Sequence, residues 1–230
     1  MGSIASNLQE VKRRIGAACA GAGRDANSVT LLAVSKTFGA HAVREALASG
    51  QPAFGESYVQ EALAKIETLA AVRPQIEWHF IGPLQSNKTR AVAEAFDWVH
   101  SVDRLKIAQR LSEQRPPALL PLQICLQVNI SQEASKRGLA PADVAGVARA
   151  VAALPRLRLR GLMAIPEPAA DAPAQRAPHR ALRELMRSLN VNGLQLDTLS
   201  MGMSADLEAA IAEGATVVRV GSALFGSRAA

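Results

Sequence analysis

The chain has 230 residues, 49% hydrophobic, 20% charged and only 3% aromatic, with a formal net charge of +6. So few aromatic rings argue against a stacking platform for single-stranded nucleic acid, and the basic residues are scattered without a dense run, as on a solvated surface. The two cysteines, Cys19 and Cys125, lie far apart, and neither with each other nor with the four histidines do they give disulfide-scaffold or zinc-type spacing, so no metal is expected.

The first predicted element is a helix from Ile4 to Gly21. The run Val29-Thr-Leu-Leu-Ala-Val-Ser-Lys36 then reads as a buried strand ending on a lysine, and Thr37-Phe-Gly39 leads into a helix over Ala40–Ser49. Next come a short strand Ala53–Gly55, a helix Tyr58–Ala71, a strand Glu77–Ile81 and a helix Asn87–Ala95. A strand Trp98–Ser101 precedes a helix Asp103–Gln114. Leu122–Asn129 is the clearest strand, and its helix starts at Pro141, a good first-turn residue, with Asp143 in that turn. Leu157–Met163 alternates as a strand. Pro166 to Pro178 reads as a long irregular loop, punctuated by Pro166, Pro168, Pro173 and Pro178, before a helix Ala177–Leu189. A strand Thr198–Ser200, a helix Ala205–Glu213 capped by Ser204, and a last strand Thr216–Val220 complete the series.

Eight strands, each followed by a helix or the start of one, argue for a parallel sheet. The count favours a closed (β/α)8 TIM barrel, read as a single domain over residues 1–230. The alternative is an open doubly wound sheet, but no GxGxxG fingerprint follows the first strand. No apolar stretch reaches about 18 residues, so no membrane helix is expected. The residues Met1 to Arg14 lack the apolar core of a signal peptide, so a cytoplasmic protein is expected.

Barrel enzymes place their sites at the C-terminal ends of the strands. Those ends carry Lys36, Gly55-Glu56-Ser57, His79 with Ile81-Gly82-Pro83, Asn129, Met163, Ser200–Ser204, Arg219 and Gly221-Ser222. A lysine ending a core strand either lets its head reach water or has chemistry to perform there. A desolvated amine is a good nucleophile towards carbonyls. Ser200-Met-Gly-Met-Ser204 and Gly221-Ser222 resemble phosphate-binding turns on adjacent strands, where barrels commonly hold phosphates. Taken singly, Gly202 and Gly221 read equally well as turn glycines, and Ser204 as a helix cap. Arg219 interrupts an apolar strand, so its guanidinium needs an acceptor, either a ligand or a carboxylate inside the barrel.

Strands eight and one are neighbours in a closed barrel, so Arg219 and Lys36 are predicted to face one cavity. An amine, a phosphate cradle and a buried arginine together suit pyridoxal 5′-phosphate (PLP). Its aldehyde would form a Schiff base with Lys36, its phosphate would rest on the two turns, and Arg219 would donate to the ring nitrogen. An arginine has only donors to offer, which keeps that nitrogen unprotonated and weakens the ring as an electron sink.

The chain resembles the pyridoxal phosphate homeostasis (YggS/PROSC-like) family. The resemblance is carried by Ala33-Val-Ser-Lys36, Phe54-Gly-Glu56, Tyr58-Val-Gln-Glu61, Trp78-His-Phe-Ile-Gly-Pro-Leu-Gln-Ser-Asn-Lys88, Arg160-Gly-Leu-Met-Ala-Ile-Pro166, Leu199-Ser-Met-Gly-Met-Ser204 and Val218-Arg-Val-Gly221. It implies a barrel like the N-terminal domain of alanine racemase (fold-type III), PLP on Lys36, and a role in PLP supply, with PLP-dependent apoenzymes as partners and no established turnover. A monomer is expected. Ser57 stands where the family has asparagine, so a contact to the cofactor is weakened there. His79 is placed near the ring by the resemblance, or else is a barrel-interior histidine held by a neighbour. Lys136 reads as a solvated loop lysine or a transient second amine, and Trp78 and Trp98 as packing residues. The competing function is a PLP-dependent racemase, which needs a base on each face of the substrate. The sole tyrosine, Tyr58, opens a helix with no clear route over the ring, and the chain ends at Ala230 soon after strand eight.

Overall fold

Strand stretches rich in Val, Leu, Ile and Phe alternate with helices that carry one apolar stripe, and the result is a barrel with helices packed outside it. A computed structural model describes residues 3–133, 136–169 and 171–226. Its strands are β1 (Thr30–Val34), β2 (Ala53–Glu56), β3 (Glu77–Phe80), β4 (Trp98–Val102), β5 (Leu122–Gln127), β6 (Leu157–Met163), β7 (Thr198–Met203) and β8 (Val217–Val220). They pair in sequence order, all parallel, and β8 closes on β1 with Leu32 opposite Arg219 and Ala33 opposite Val220. The closed (β/α)8 barrel therefore holds, and the open sheet is excluded.

The helices are α1 (Ile4–Gly21), α2 (Ala40–Ala48), α3 (Val59–Thr68), α4 (Thr89–Ala95), α5 (Leu105–Gln114), α6 (Val144–Ala152), α7 (Ala172–Val191), α8 (Leu207–Ala212) and the single turn α9 (Ser222–Phe225). The main core lies between strands and helices, where Phe54, Trp78, Phe80 and Val99 meet Leu8, Ile107, Leu111 and Leu182. Two smaller buried groups stand apart from it: Leu32, Ala53 and Val217, and Trp98, Cys125 and Met163. They belong to the alternate strand positions, which face the barrel lumen.

Three sequence expectations are corrected. The stretch Pro166–Pro178 is not irregular throughout: α7 starts at Ala172, with Asp171 capping it by accepting from the Ala174 N–H at 2.8 Å. Pro173 sits in the first turn, where a missing N–H costs nothing, and Pro178 lies inside the helix. Prolines mislead here because an N-terminal proline and a helix-breaking one look alike in sequence. Secondly, β7 runs on to Met203 and α8 is shorter than expected, capped at Asp206 and not at Ser204. Thirdly, the helix expected from Pro141 opens as a 3-10 turn before α6.

Gly202 is held by packing. Its φ is 90°, and a Cβ there would lie 2.5 Å from the Cβ of Ala210 in α8. Gly202→Ala should lower the unfolding free energy by about 1–3 kcal/mol from backbone strain. Chemical denaturation checks this, and Ala210→Gly in the same chain should recover part of the loss by removing the clash.

Candidate cofactor site

At the C-terminal mouth of the barrel lies a cavity of about 390 Å³, lined by Val34, Lys36, Phe38, Ser57, Ile81, Ile165, Met203, Ser204, Ala205, Arg219, Gly221, Ser222 and Gly226. That volume is within the usual range for small-molecule sites, about 300–1,000 Å³. Seven residues expected from sequence line it: Lys36, Ser57, Met203, Ser204, Arg219, Gly221 and Ser222. His79, Met163, Ser200 and Gly202 do not. His79, Met163 and Ser200 lie buried beneath it in the lumen, and Gly202 serves the β7–α8 packing. The apolar walls from Val34, Phe38 and Ile165 were missed, since nothing in sequence separates them from core residues, while Ile81 stood among the strand-end residues. Phe38 is fixed by stacking on Phe225 at 5.0 Å between ring centroids.

Lys36 does not end β1. It lies two residues beyond it, half-buried, in a turn clamped on both sides. On one side, the Ser35 carbonyl accepts from Lys65 Nζ at 2.9 Å, and Ser35 Oγ donates to Glu56 Oε1 at 2.6 Å. On the other, the Thr37 N–H donates to Glu61 Oε1 at 2.6 Å. Thr37 has φ 70°, a left-handed conformation that β-branched residues avoid and that this carboxylate sustains. Lys65 ties the pieces together, 2.5 Å from Glu56 and 3.2 Å from Glu61. The matching segments Phe54-Gly-Glu56 and Tyr58-Val-Gln-Glu61 thus carry the scaffold of the lysine turn, a role invisible in sequence because its partners lie on three elements.

Arg219 is 4% exposed and has no carboxylate in salt-bridge contact among the described residues, which removes the structural ion-pair alternative. Nη1 donates to Ser200 O at 2.7 Å and to Ser200 Oγ at 2.8 Å, and Nη2 donates to Ala164 O at 2.8 Å. Burial pushes the guanidinium down to about 10, with Asp206 opposing, so it remains a cation at neutral pH. Of its five N–H donors, Nε–H and one on Nη2 have no partner among the described residues.

The two serine turns are also held from behind. Asp206 accepts from the Met203 N–H at 2.7 Å and sits 2.9 Å from His179 Nε2, with His179 buried on α7. Burial works against its charge, but the hydrogen bonds from His179 and Met203, with the nearby Arg219, hold its carboxyl below the ordinary 3.8. Its stabilising contribution is therefore full above that value and lost as pH falls through the lower native value. Asp206→Asn should flatten the acid limb of a series of thermal melts. Ser204 does not cap α8 and lines the cavity, and Ser222 and Ala223 open α9 with amides that have no partner in the turn.

Of the remaining candidates, Asn129 lies beyond β5, where Nδ2 donates to Glu133 O at 2.8 Å and closes the loop. Lys136 is exposed, as a solvated loop lysine would be, and its neighbour Ser135 lies outside the described residues. Among the described residues no group of His, Cys, Asp and Glu could hold a metal ion, and no helix is long and apolar enough to cross a membrane.

Residues 2–229 match the family model for the alanine racemase N-terminal domain. The pyridoxal phosphate homeostasis protein of Pseudomonas aeruginosa is 64% identical over 228 residues, 99% of this chain and 97% of that protein. This chain belongs to that family. The counterpart in Escherichia coli K12 is 52% identical over 229 residues, 99% of this chain and 98% of its own length. Among solved structures, PipY of Synechococcus elongatus PCC7942 with PLP bound superposes with a TM-score of 0.85 at 38% identity, covering 97% of this chain and 100% of that one. Family membership accounts for the barrel.

Proposed function

We propose that this chain binds PLP in the C-terminal mouth cavity and serves intracellular PLP homeostasis and supply as one barrel unit, holding the cofactor covalently on Lys36 without catalytic turnover. One observation carries the reading. Lys36 and Arg219, from opposite ends of the chain, line the same cavity, and Arg219 keeps N–H donors without partners.

The donor set fits the group. When bound, PLP supplies an aldehyde that accepts a primary amine with loss of water, a ring nitrogen that accepts a hydrogen bond, and a phosphate. Lys36 provides the amine; its nitrogen bonds to the aldehyde carbon and its two protons leave in the water. Arg219 donates to the ring nitrogen. The hydroxyls of Ser204 and Ser222, with the first amides of α9 after Gly221, receive the phosphate. Met203, Ile81 and Ile165 exclude water beside the ring. Ser57 lines the cavity, and its hydroxyl reaches less far than the asparagine that the family resemblance implies at this position. His79, Met163, Ser200 and Gly202 support the site from below or behind.

The racemase alternative needs a second acid–base group. Apart from Lys36 and Arg219, none of the residues lining the cavity titrates, and Tyr58 is outside it and 53% exposed. That composition favours a carrier.

The purified protein should be yellow, and borohydride should fix the cofactor on the peptide containing Lys36. Transfer to a PLP-dependent apoenzyme should exceed the rate set by free release. Deuterium exchange at the α-carbon of free amino acids should stay at background. Fixation on another lysine would overturn the site, and rapid exchange would restore the racemase reading.

A further inference from the structure

The lumen beneath the cavity holds polar groups that the proposed binding does not use. His100 Nδ1 lies 2.8 Å from Ser200 Oγ, and His100 Nε2 lies 2.9 Å from His79 Nδ1. β4 and β7 are not neighbours in the sheet, so the His100–Ser200 contact spans the lumen. All three side chains are buried. On its far side His79 stacks on Trp98, with ring centroids 5.4 Å apart and planes inclined at 9°. His79 Nε2 lies 3.7 Å from Glu77 Oε2 and has no hydrogen-bond partner. Glu77 lines the opposite, N-terminal mouth of the barrel.

We propose that Ser200, His100 and His79 form a one-way string of hydrogen bonds that starts at Arg219 and ends at His79, whose Nε2 faces Glu77, and that they are positioning residues for the Arg219 donor that faces the cofactor ring. The inference rests on the PLP reading for its purpose, but its direction follows from the chain alone. Arginine only donates, so Ser200 Oγ accepts from Nη1. The one serine hydrogen then has a single acceptor within reach, His100 Nδ1. Burial, with His79 and Arg219 nearby, holds His100 well below its ordinary range, so it is neutral and carries its one proton on Nε2. That proton goes to His79 Nδ1, which places the His79 proton on Nε2, facing Glu77.

The far end faces an anion, 3.7 Å from His79 Nε2. His79 beside it, helped by Trp98 and Arg160, outweighs burial and holds Glu77 below the ordinary carboxyl range, so it only accepts. Trp98 Nε1 also donates to Glu77, and Arg160 lies 4.9 Å over the Trp98 ring while paired with Asp197 at 2.7 Å. The pure donor at the near end sets one orientation for everything after it, and the carboxylate facing His79 Nε2 agrees with that orientation. This orders the Ser200 acceptor, and with it the guanidinium fork, so that the unpartnered N–H groups of Arg219 stay directed at the cavity.

The test uses the full chain labelled with ¹⁵N-histidine, first without cofactor. Two-bond ¹H–¹⁵N correlations should show both His79 and His100 with bare Nδ1 and protonated Nε2. In Ser200→Ala the preference at both rings should collapse, and Ser200→Thr should retain it. A proton on His100 Nδ1 in the unmodified chain overturns the proposal, as does an unchanged His79 tautomer in Ser200→Ala. With PLP loaded, Ser200→Ala and His100→Phe should shift the bound-cofactor absorbance band equally, and the double variant no further, since members of one string are not additive. Additive shifts, or none, overturn the positioning role. If the unmodified chain takes up no PLP, the proposed function fails by itself, and the tautomers still decide whether the string exists.

Discussion

Lys65→Met should destabilise the chain by about 3–5 kcal/mol, the cost of breaking a buried ion pair from one side. The Lys65 and Glu56 side chains are 3% and 0% exposed and lie 2.5 Å apart. Methionine fills the volume of the lysine stem but leaves Glu56 without its cation. Burial already raises the Glu56 carboxyl above the ordinary 4.5, with Lys65 and Ser35 pulling it down, so loss of Lys65 raises it further. A carboxyl raised on folding lends its stability below its unfolded value and withdraws it as pH climbs through the folded one. The deficit of Lys65→Met should therefore be smallest under acid and grow above pH 4.5. Urea titrations at several pH values measure this. A loss under about 1 kcal/mol, the scale of an exposed pair, would show that the network is solvated. The same variant removes the clamp on the Ser35 carbonyl, so the Lys36 turn should also gain mobility, seen as faster amide exchange at residues 35–38.

Arg219→Met tests the other half of the site. It leaves Ala164 O without a donor, while Ser200 O keeps the Ala164 N–H and Ser200 Oγ keeps His100. At about 1–3 kcal/mol for an unsatisfied buried group, the loss should be about 1–3 kcal/mol. PLP affinity should fall by about tenfold to a hundredfold, the equivalent of one charge-assisted hydrogen bond of roughly 1.5–3 kcal/mol. Borohydride should still fix whatever cofactor binds, because Lys36 is untouched. Undiminished affinity in a folded variant would mean that the guanidinium serves the barrel alone. A supply protein has reason to hold its ring nitrogen by such a donor, since an unprotonated ring is a poor electron sink and the cargo stays unreactive.

The barrel was legible because its signal is repeated: eight apolar runs, each followed by a helical stripe, outvote any local error at their ends. Lys36, Arg219 and the serine turns were legible because each breaks its surroundings, a cation or a flexible polar turn in an apolar strand context. What stayed hidden depends on residues meeting across the lumen or between helices. Glu213 looks like an ordinary helix-end carboxylate, yet it accepts from Arg176, Arg180 and Arg183 and straps α7 to α8. His100 sits in a short strand with nothing to mark it, and its meaning appears only when β7 stands opposite. Ser204 was misread because a serine before an apolar run is the usual helix cap, and Asp206, two residues later, competed successfully for that place.

The closure of β8 onto β1 also gives the site a history. Lys36 leaves the ribosome long before Arg219, and their strands meet only when β8 docks against β1. Pairing at such sequence separation is slow, because loop-closure entropy is lost before any contact returns it. A nascent chain can thus bury much of its helical layer while the two halves of the mouth are still apart. In the proposed binding mode, cofactor held by both Lys36 and Arg219 would require the barrel to be shut, and by mass action would then hold it shut. A cell short of the cofactor should contain more chains that reopen along the β1–β8 seam, the point where proteolysis would begin.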